Sequence, residues 1–237
     1  MNSEIITNVL NQICFDMPAF IVVILIHEYF HYLAASVLLG EESFRNQQFN
    51  FVCRVDLFGT LLPFCLILSG YPLVFGWGKR FEADFSESEK KTSCEILFAF
   101  SGIVGNLLVC LVTGLFITMA PKIDLLYSLT KSHSGIFFLT FIFRLFAISL
   151  AVMLINFLPV PPFDGARLLF NVFDHRLKKY EGRLQMLGLL IVTTLILTGI
   201  GGMLFFAPFK ALTDYLCGAL APYVIKPGLF ARDFLIN

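Results

Sequence analysis

The strongest constraint in this sequence is a set of long apolar stretches that carry almost no charge. Four of them reach the roughly 20 residues that a helix needs to cross a bilayer, at residues 18–39, 96–120, 135–158 and 187–209. The composition agrees, because 57% of the residues are hydrophobic and 14% are charged, whereas soluble domains are about 25% charged. We therefore predict an all-α polytopic membrane protein.

The organisation expected from these stretches is a single bundle of about five to six transmembrane helices. A shorter apolar stretch, residues 58–74, contains two prolines and two glycines. This stretch is expected either to cross as a short span or to re-enter, with a short re-entrant or β segment near residues 51–80. The polar connections are too short to fold as soluble domains. We expect one domain over residues 1–237, with a core at about 18–206 and an interfacial segment at about 211–225.

The charge balance argues against nucleic acid as a partner and is compatible with a lipid bilayer. Lys and Arg together number 17, as do Asp and Glu, so the chain offers no basic surface for nucleic acid. The lipid bilayer is the expected environment, in a multi-pass topology.

Arg144, early in the third stretch, is expected to extend toward the interface, with a role in gating as the alternative.

The first apolar stretch contains the sequence His27-Glu28-Tyr-Phe-His31. Residues four apart on a helix project from one face, about 40° apart, so both imidazoles can bind one Zn²⁺. Glu28 points elsewhere and can act as a general base on a water without being a ligand. With four His in the chain, a chance match to this spacing is expected about 0.003 times.

A catalytic zinc usually has a third protein ligand and one open position. The candidate is Asp164, in the segment from Asn156 to Gly165, where three prolines end the third apolar stretch. Taken alone, this segment would be an interfacial cap. Paired with an HExxH motif inside an apolar helix, it favours Asp164 as the third ligand, with Gly165 permitting unusual backbone angles.

These residues resemble the site-2 protease family of intramembrane zinc metalloproteases, peptidase family M50. The likeness includes the HExxH motif, the segment from Asn156 to Gly165 and the span from Ser101 to Asn106. Within the family, the sequence resembles the short branch that lacks PDZ and CBS domains. The resemblance implies one Zn²⁺ per chain, hydrolysis within transmembrane segments of other proteins, and the cell membrane of a bacterium or archaeon. It also implies that Asn106 and Asn156 contact the substrate or orient the site.

A substrate helix must unwind locally before its backbone can be cut, and unpaired backbone groups are costly in lipid. Residues 51–79 are therefore expected to offer an edge strand to the unwound substrate. Two alternatives remain open: a zinc-binding membrane protein without peptidase activity, such as a metal carrier, and a structural membrane protein with a fortuitous HExxH. A homo-oligomer or an accessory membrane partner is also left open.

Overall fold

The structure is a computed structural model that describes residues 9–44, 49–68, 76–85, 88, 90–124, 132–160, 163–173 and 180–198. Its α-helices are α1 Met17–Phe44, α2 Phe51–Arg54, α3 Leu57–Leu68, α4 Lys91–Met119, α5 His133–Asn156, α6 Asp164–Phe173 and α7 Glu181–Leu197. A π-helical turn, Gln12–Asp16, leads directly into α1. No strand occurs within these described ranges, so the all-α prediction is confirmed there.

Three helical stretches are long and apolar enough to cross a membrane: Val9–Gly40, Lys91–Met119 and His133–Asn156. They coincide with the first three stretches identified in the sequence. The fourth stretch, residues 187–209, is described only as far as residue 198, and the interfacial segment at 211–225 lies outside the described residues. The count of five to six transmembrane helices therefore stays a prediction.

Residues 51–68 are helical, so the β alternative expected for this segment is wrong there, and two polar side chains cap these helices. The Asn50 side chain accepts hydrogen bonds from the backbone of Val52 and Cys53 at the start of α2. The Asp56 carboxylate accepts a hydrogen bond of 2.6 Å from the Gly59 amide at the start of α3. The described part of α3 has 12 residues and is about 18 Å long, and the crossing or re-entry of residues 58–74 stays a prediction. Residues 76–85 follow as an irregular segment outside any helix or strand.

Helix α4 is the centre of the described bundle, since it packs extensively against both α1 and α5 and also contacts α6. Apolar clusters join these helices in pairs. One cluster packs Phe20 and Val23 of α1 against Ile148 of α5, and another packs Cys110 of α4 against Phe146 of α5. The α4–α1 approach is close, because a Cβ added at Gly105 would stand 2.7 Å from the Phe30 ring.

The opposite face of α4 is apolar and exposed. Its large side chains recur at helical spacing and are 39–62% accessible: Leu97, Phe100, Val104, Leu107, Leu108, Leu111, Val112 and Leu115. A soluble monomer rarely exposes so continuous an apolar stripe. The stripe is what a helix bordering lipid requires, so exposure and helix length both support a membrane-embedded bundle.

Arg144 does not extend to the interface, contrary to the sequence-based expectation. Its guanidinium Nε lies 3.2 Å from Asp16 Oδ1, and both side chains are less than one-tenth exposed. A charged side chain at membrane depth is costly unless it is paired. The Asp16 carboxylate therefore compensates Arg144, and the pair ties the start of the first spanning stretch to α5.

We predict that breaking the Asp16–Arg144 pair destabilises the fold more than removing it altogether. Asp16→Leu and Arg144→Met each leave one buried charge without its counter-ion, which costs about 3–5 kcal/mol. The double variant, in which neither charge remains, should recover most of that loss. Thermal unfolding in detergent measures all four proteins; additive losses in the double variant would contradict the prediction.

Candidate metal centre

The structure brings together the three side chains that the sequence proposed as metal ligands. His27 Nε2 lies 3.0 Å from Asp164 Oδ2, and His31 Nε2 lies 3.1 Å from the same oxygen. The two Nε2 atoms are 3.2 Å apart. All three residues are at most 4% exposed. His27 and His31 come from consecutive turns of α1, whereas Asp164 is 133 positions beyond His31.

The spacing of these three atoms fits a tetrahedral zinc site. Zn–N and Zn–O bonds of about 2.0–2.1 Å place neighbouring tetrahedral ligands about 3.3–3.4 Å apart. The observed separations of 3.0–3.2 Å therefore need only a small outward adjustment to admit the ion. Two neutral imidazoles and one carboxylate would leave the fourth position open, which is the pattern of catalytic rather than structural sites.

Asp164 is delivered by the first turn of α6. Gly165 allows this placement through space rather than through unusual dihedral angles: a Cβ there would collide with the backbone carbonyls of Phe157 and Leu158. Among the described residues only Gly40 has a positive φ, so the expected special backbone angle at Gly165 is wrong. Burial alone would raise the pKa of the Asp164 carboxyl, but the adjacent His31 and His27 hold this pKa well below its usual range.

The outer nitrogen of His31 is fixed by α4. Its Nδ1 donates to the Phe98 carbonyl oxygen at 2.9 Å and lies 3.0 Å from the Ser101 hydroxyl, which itself donates to Phe98 at 2.6 Å. With its proton on Nδ1, the ring presents the Nε2 lone pair to a metal. A second partner of this kind commonly orients metal-ligating histidines.

Asn106, about two turns beyond Phe98 on α4, contacts the outer ring nitrogen of His27. Its Nδ2 atom lies 3.1 Å from His27 Nδ1, and the residue is completely buried. The sequence placed Asn106 in the site through a resemblance, as a residue that touches the substrate or orients the site. Its position behind the imidazole favours the orienting role.

Gly102 leaves the space in which the ligand atoms meet. A Cβ at this position would stand 2.5 Å from His31 Nε2 and 2.6 Å from His27 Nε2, which is closer than such atoms can pack. Helix α4 therefore packs three residues against the two imidazoles. The Phe98 carbonyl faces His31, Gly102 leaves room for both rings, and the Asn106 amide faces His27. The sequence could not assign this role to Gly102, because the contact joins residues 71–75 positions apart.

Glu28 lies beside the ligands without joining them. Its Oε2 atom accepts a hydrogen bond of 2.6 Å from the backbone amide of Phe81, and the side chain is 4% exposed. Phe81 belongs to the irregular segment 76–85, which is attached to α2 through the Lys79 amide and the Arg54 carbonyl at 2.8 Å. This backbone contact with the proposed general base has no signature in the sequence.

A cavity of about 260 Å³ opens next to these groups. His27, Glu28 and Asp164 line this cavity together with residues 76–80. Asn156, the remaining predicted site residue, also lines this cavity, while its Nδ2 donates to the Val152 carbonyl at 2.9 Å. The site thus combines a potential metal-ligand set, a separate carboxylate and room for a small part of a polypeptide.

Comparison with known proteins gives one relationship. The chain is 22% identical over 206 residues to the protein named "Putative zinc metalloprotease YwhC" of Bacillus subtilis (strain 168). The alignment covers 84% of this chain and 89% of that protein. No protein-family model matches the chain, and no solved structure matches it significantly.

We predict that Gly102→Ala abolishes metal binding while the bundle still folds. The added methyl group would occupy the space beside both Nε2 atoms and force the imidazoles apart. Gly114→Ala is the matched control on the same helix, because its Cβ would meet only the Phe146 ring edge, at 3.3 Å. Zinc content after reconstitution and thermal unfolding should be measured together; stoichiometric zinc in folded Gly102→Ala would contradict the geometry.

Proposed function

We propose that this chain is an intramembrane zinc metalloprotease, similar to the site-2 proteases of family M50. The observation that supports this most is the buried cluster of His27, His31 and Asp164 inside apolar helices, with the Glu28 carboxylate next to it and outside the ligand set. A carrier or a structural helix has no need for a base beside the ligands. The name of the Bacillus relative supports metalloprotease chemistry.

Each residue then has a distinct task. His27, His31 and Asp164 hold the zinc, which when bound polarises the scissile carbonyl and acidifies a water. Glu28 accepts the proton of the attacking water and returns it to the leaving amine. The Phe81 amide fixes the orientation of the Glu28 carboxylate through its hydrogen bond, so that the other carboxylate oxygen is available to the water.

The proposed substrate is a transmembrane segment of another protein that has unwound locally. In an intact helix the backbone carbonyls are already hydrogen-bonded. A helix about 10–12 Å wide is also too bulky for a cavity of about 260 Å³. A short extended stretch can enter, and residues 76–80, which lie outside any helix, line the cavity. We place the docking of the substrate strand along residues 76–80 rather than along residues 51–68, which are helical. Asn156 lines the same cavity and is proposed to contact the substrate there.

The proposed setting is the cell membrane of a bacterium or archaeon, with the chain crossing it several times. The three long apolar helices and the exposed stripe on α4 support this setting. The turns that carry His27 and His31 lie within the stretch Val9–Gly40, so the chemistry would take place inside the membrane. The protein must then reach its substrates by lateral movement in the bilayer.

We predict that Glu28→Gln removes cleavage of a reporter transmembrane segment and retains one zinc per chain. The amide preserves the shape of the side chain but cannot accept the proton of the attacking water. Asp124→Asn is the control, because it makes the same carboxylate-to-amide change at an exposed position beyond the end of α4. Gel analysis of the reporter and metal analysis of both variants are the measurements.

Two outcomes would contradict this function. Cleavage by Glu28→Gln at the wild-type rate would remove the assignment of the base. Zinc transport into vesicles by the wild-type protein, without cleavage of any reporter segment, would favour the metal carrier instead.

A further inference from the structure

The peptide unit that faces Glu28 is also bonded from its other end, by the side chain of Arg54. The Phe81 amide of this unit donates to Glu28 Oε2 at 2.6 Å. The carbonyl of the same unit belongs to Arg80, and it accepts a hydrogen bond of 3.0 Å from Arg54 Nη1. One peptide unit therefore lies between a guanidinium group and the proposed general base.

The charges at the two ends match the dipole of this peptide unit. In a trans peptide the carbonyl and the N–H point in opposite directions, and the unit has a dipole of about 3.5 D with its positive end at the N–H. The Arg54 guanidinium faces the negative end, and the Glu28 carboxylate faces the positive end. Because hydrogen bonds in such a chain polarise one another, the bond from Arg54 strengthens the bond from the Phe81 amide to Glu28.

Two further contacts hold Arg54 against the same segment. Its backbone carbonyl accepts a hydrogen bond of 2.8 Å from the Lys79 amide. Its guanidinium carbon lies 4.8 Å from the centre of the Phe81 ring, within the range of a cation–π contact. The Phe81 ring is itself fixed, because it is 3% exposed. Arg54 thus contacts three consecutive residues, 79 to 81, through its backbone and its side chain.

The segment has little room to move between α1 and α2. A Cβ added at Gly78 would collide with the Ile24 side chain of α1 and would stand 3.2 Å from the Arg54 carbonyl oxygen of α2. Residues 76–85 belong to no helix or strand, so no regular hydrogen-bonding pattern fixes their backbone. The contacts with Arg54 and Glu28 therefore determine how the peptide unit between them is oriented.

We propose that Arg54 is a positioning residue that orients the Glu28 carboxylate through the peptide unit of Arg80 and Phe81. The inference rests on the proposed function, in which Glu28 is the general base. Arg54 does not line the cavity beside Glu28, so it acts on the reaction through this peptide unit. Without its hydrogen bond the unit can rotate, and the carboxylate spends less time in the geometry that accepts a proton from water.

The first test measures kcat and KM separately for cleavage of a reporter transmembrane segment. Arg54→Met keeps the apolar stem but donates no hydrogen bond. We expect its kcat to fall about 10–100-fold, which is less than the 10²–10⁴-fold that general-base catalysis contributes, with KM and zinc content close to the wild type. Arg54→Lys keeps a charged donor, and we expect it to recover part of the lost kcat.

Val52→Ala is the matched control, because it changes the same short helix at a side chain that is 81% exposed. Its kcat and KM should equal those of the wild type. Thermal unfolding of every variant shows whether the bundle is intact. If Arg54→Met does not fold, Arg54→Gln replaces it with the same expectations, because its shorter side chain does not reach the Arg80 carbonyl.

The second test observes the hydrogen bond itself and requires no cleavage. In protein that is isotope-labelled in phenylalanine, the NMR signal of the Phe81 amide proton is assigned by its loss in Phe81→Leu. A short hydrogen bond to a carboxylate moves such a proton downfield. We expect Glu28→Gln and Arg54→Met each to shift this signal upfield, and Val52→Ala to leave it in place.

Each remaining outcome decides the matter. Wild-type kcat in folded Arg54→Met, or an unmoved Phe81 signal in that variant, would overturn the inference. A rise in KM alone would assign Arg54 to substrate docking, and equal losses of kcat in the Met and Lys variants would leave it a packing role; either result overturns the positioning of Glu28. If the Phe81 signal shifts as expected but the wild-type protein cleaves no segment, the proposed protease function fails while the link from Arg54 to Glu28 stands.

Discussion

The need to satisfy polar groups inside an apolar bundle determines the arrangement of this protein. Three potential metal-ligating atoms lie within 3.2 Å of one another, on side chains that are at most 4% exposed. An isolated carboxylate or an unpaired imidazole at that depth is costly. The pairing of His27 and His31 with Asp164 compensates these groups, and the same three side chains could hold a divalent cation.

Helix α4 supplies most of what holds the cluster in place, although it contributes no ligand. The Phe98 carbonyl orients His31, Gly102 leaves space for the two imidazoles, and the Asn106 amide faces His27. These features recur about one turn apart, so they share one face of the helix. The opposite face is the exposed apolar stripe. One helix therefore separates the polar site from the lipid side.

The sequence predicted those parts of the site that depend on local geometry or on strong patterns. HExxH places His27, Glu28 and His31 on one helix by periodicity alone, and the proline-rich segment indicated Asp164. Long-range contacts had no such pattern: the Phe81 amide on Glu28, the space at Gly102, and the Asp16–Arg144 pair each join distant positions. The edge strand expected within residues 51–79 is absent at 51–68, where the Asn50 and Asp56 side chains cap helices.

The most direct test of the account is X-ray absorption at the zinc edge on purified wild-type protein and on Asp164→Ala. The account predicts one zinc per chain with two imidazole nitrogens and oxygen ligands at about 2.0–2.2 Å, and loss of the bound zinc or of one oxygen ligand in the variant. A sulfur ligand at about 2.3 Å, contributed by one of the six cysteines, or the absence of stoichiometric zinc would contradict it.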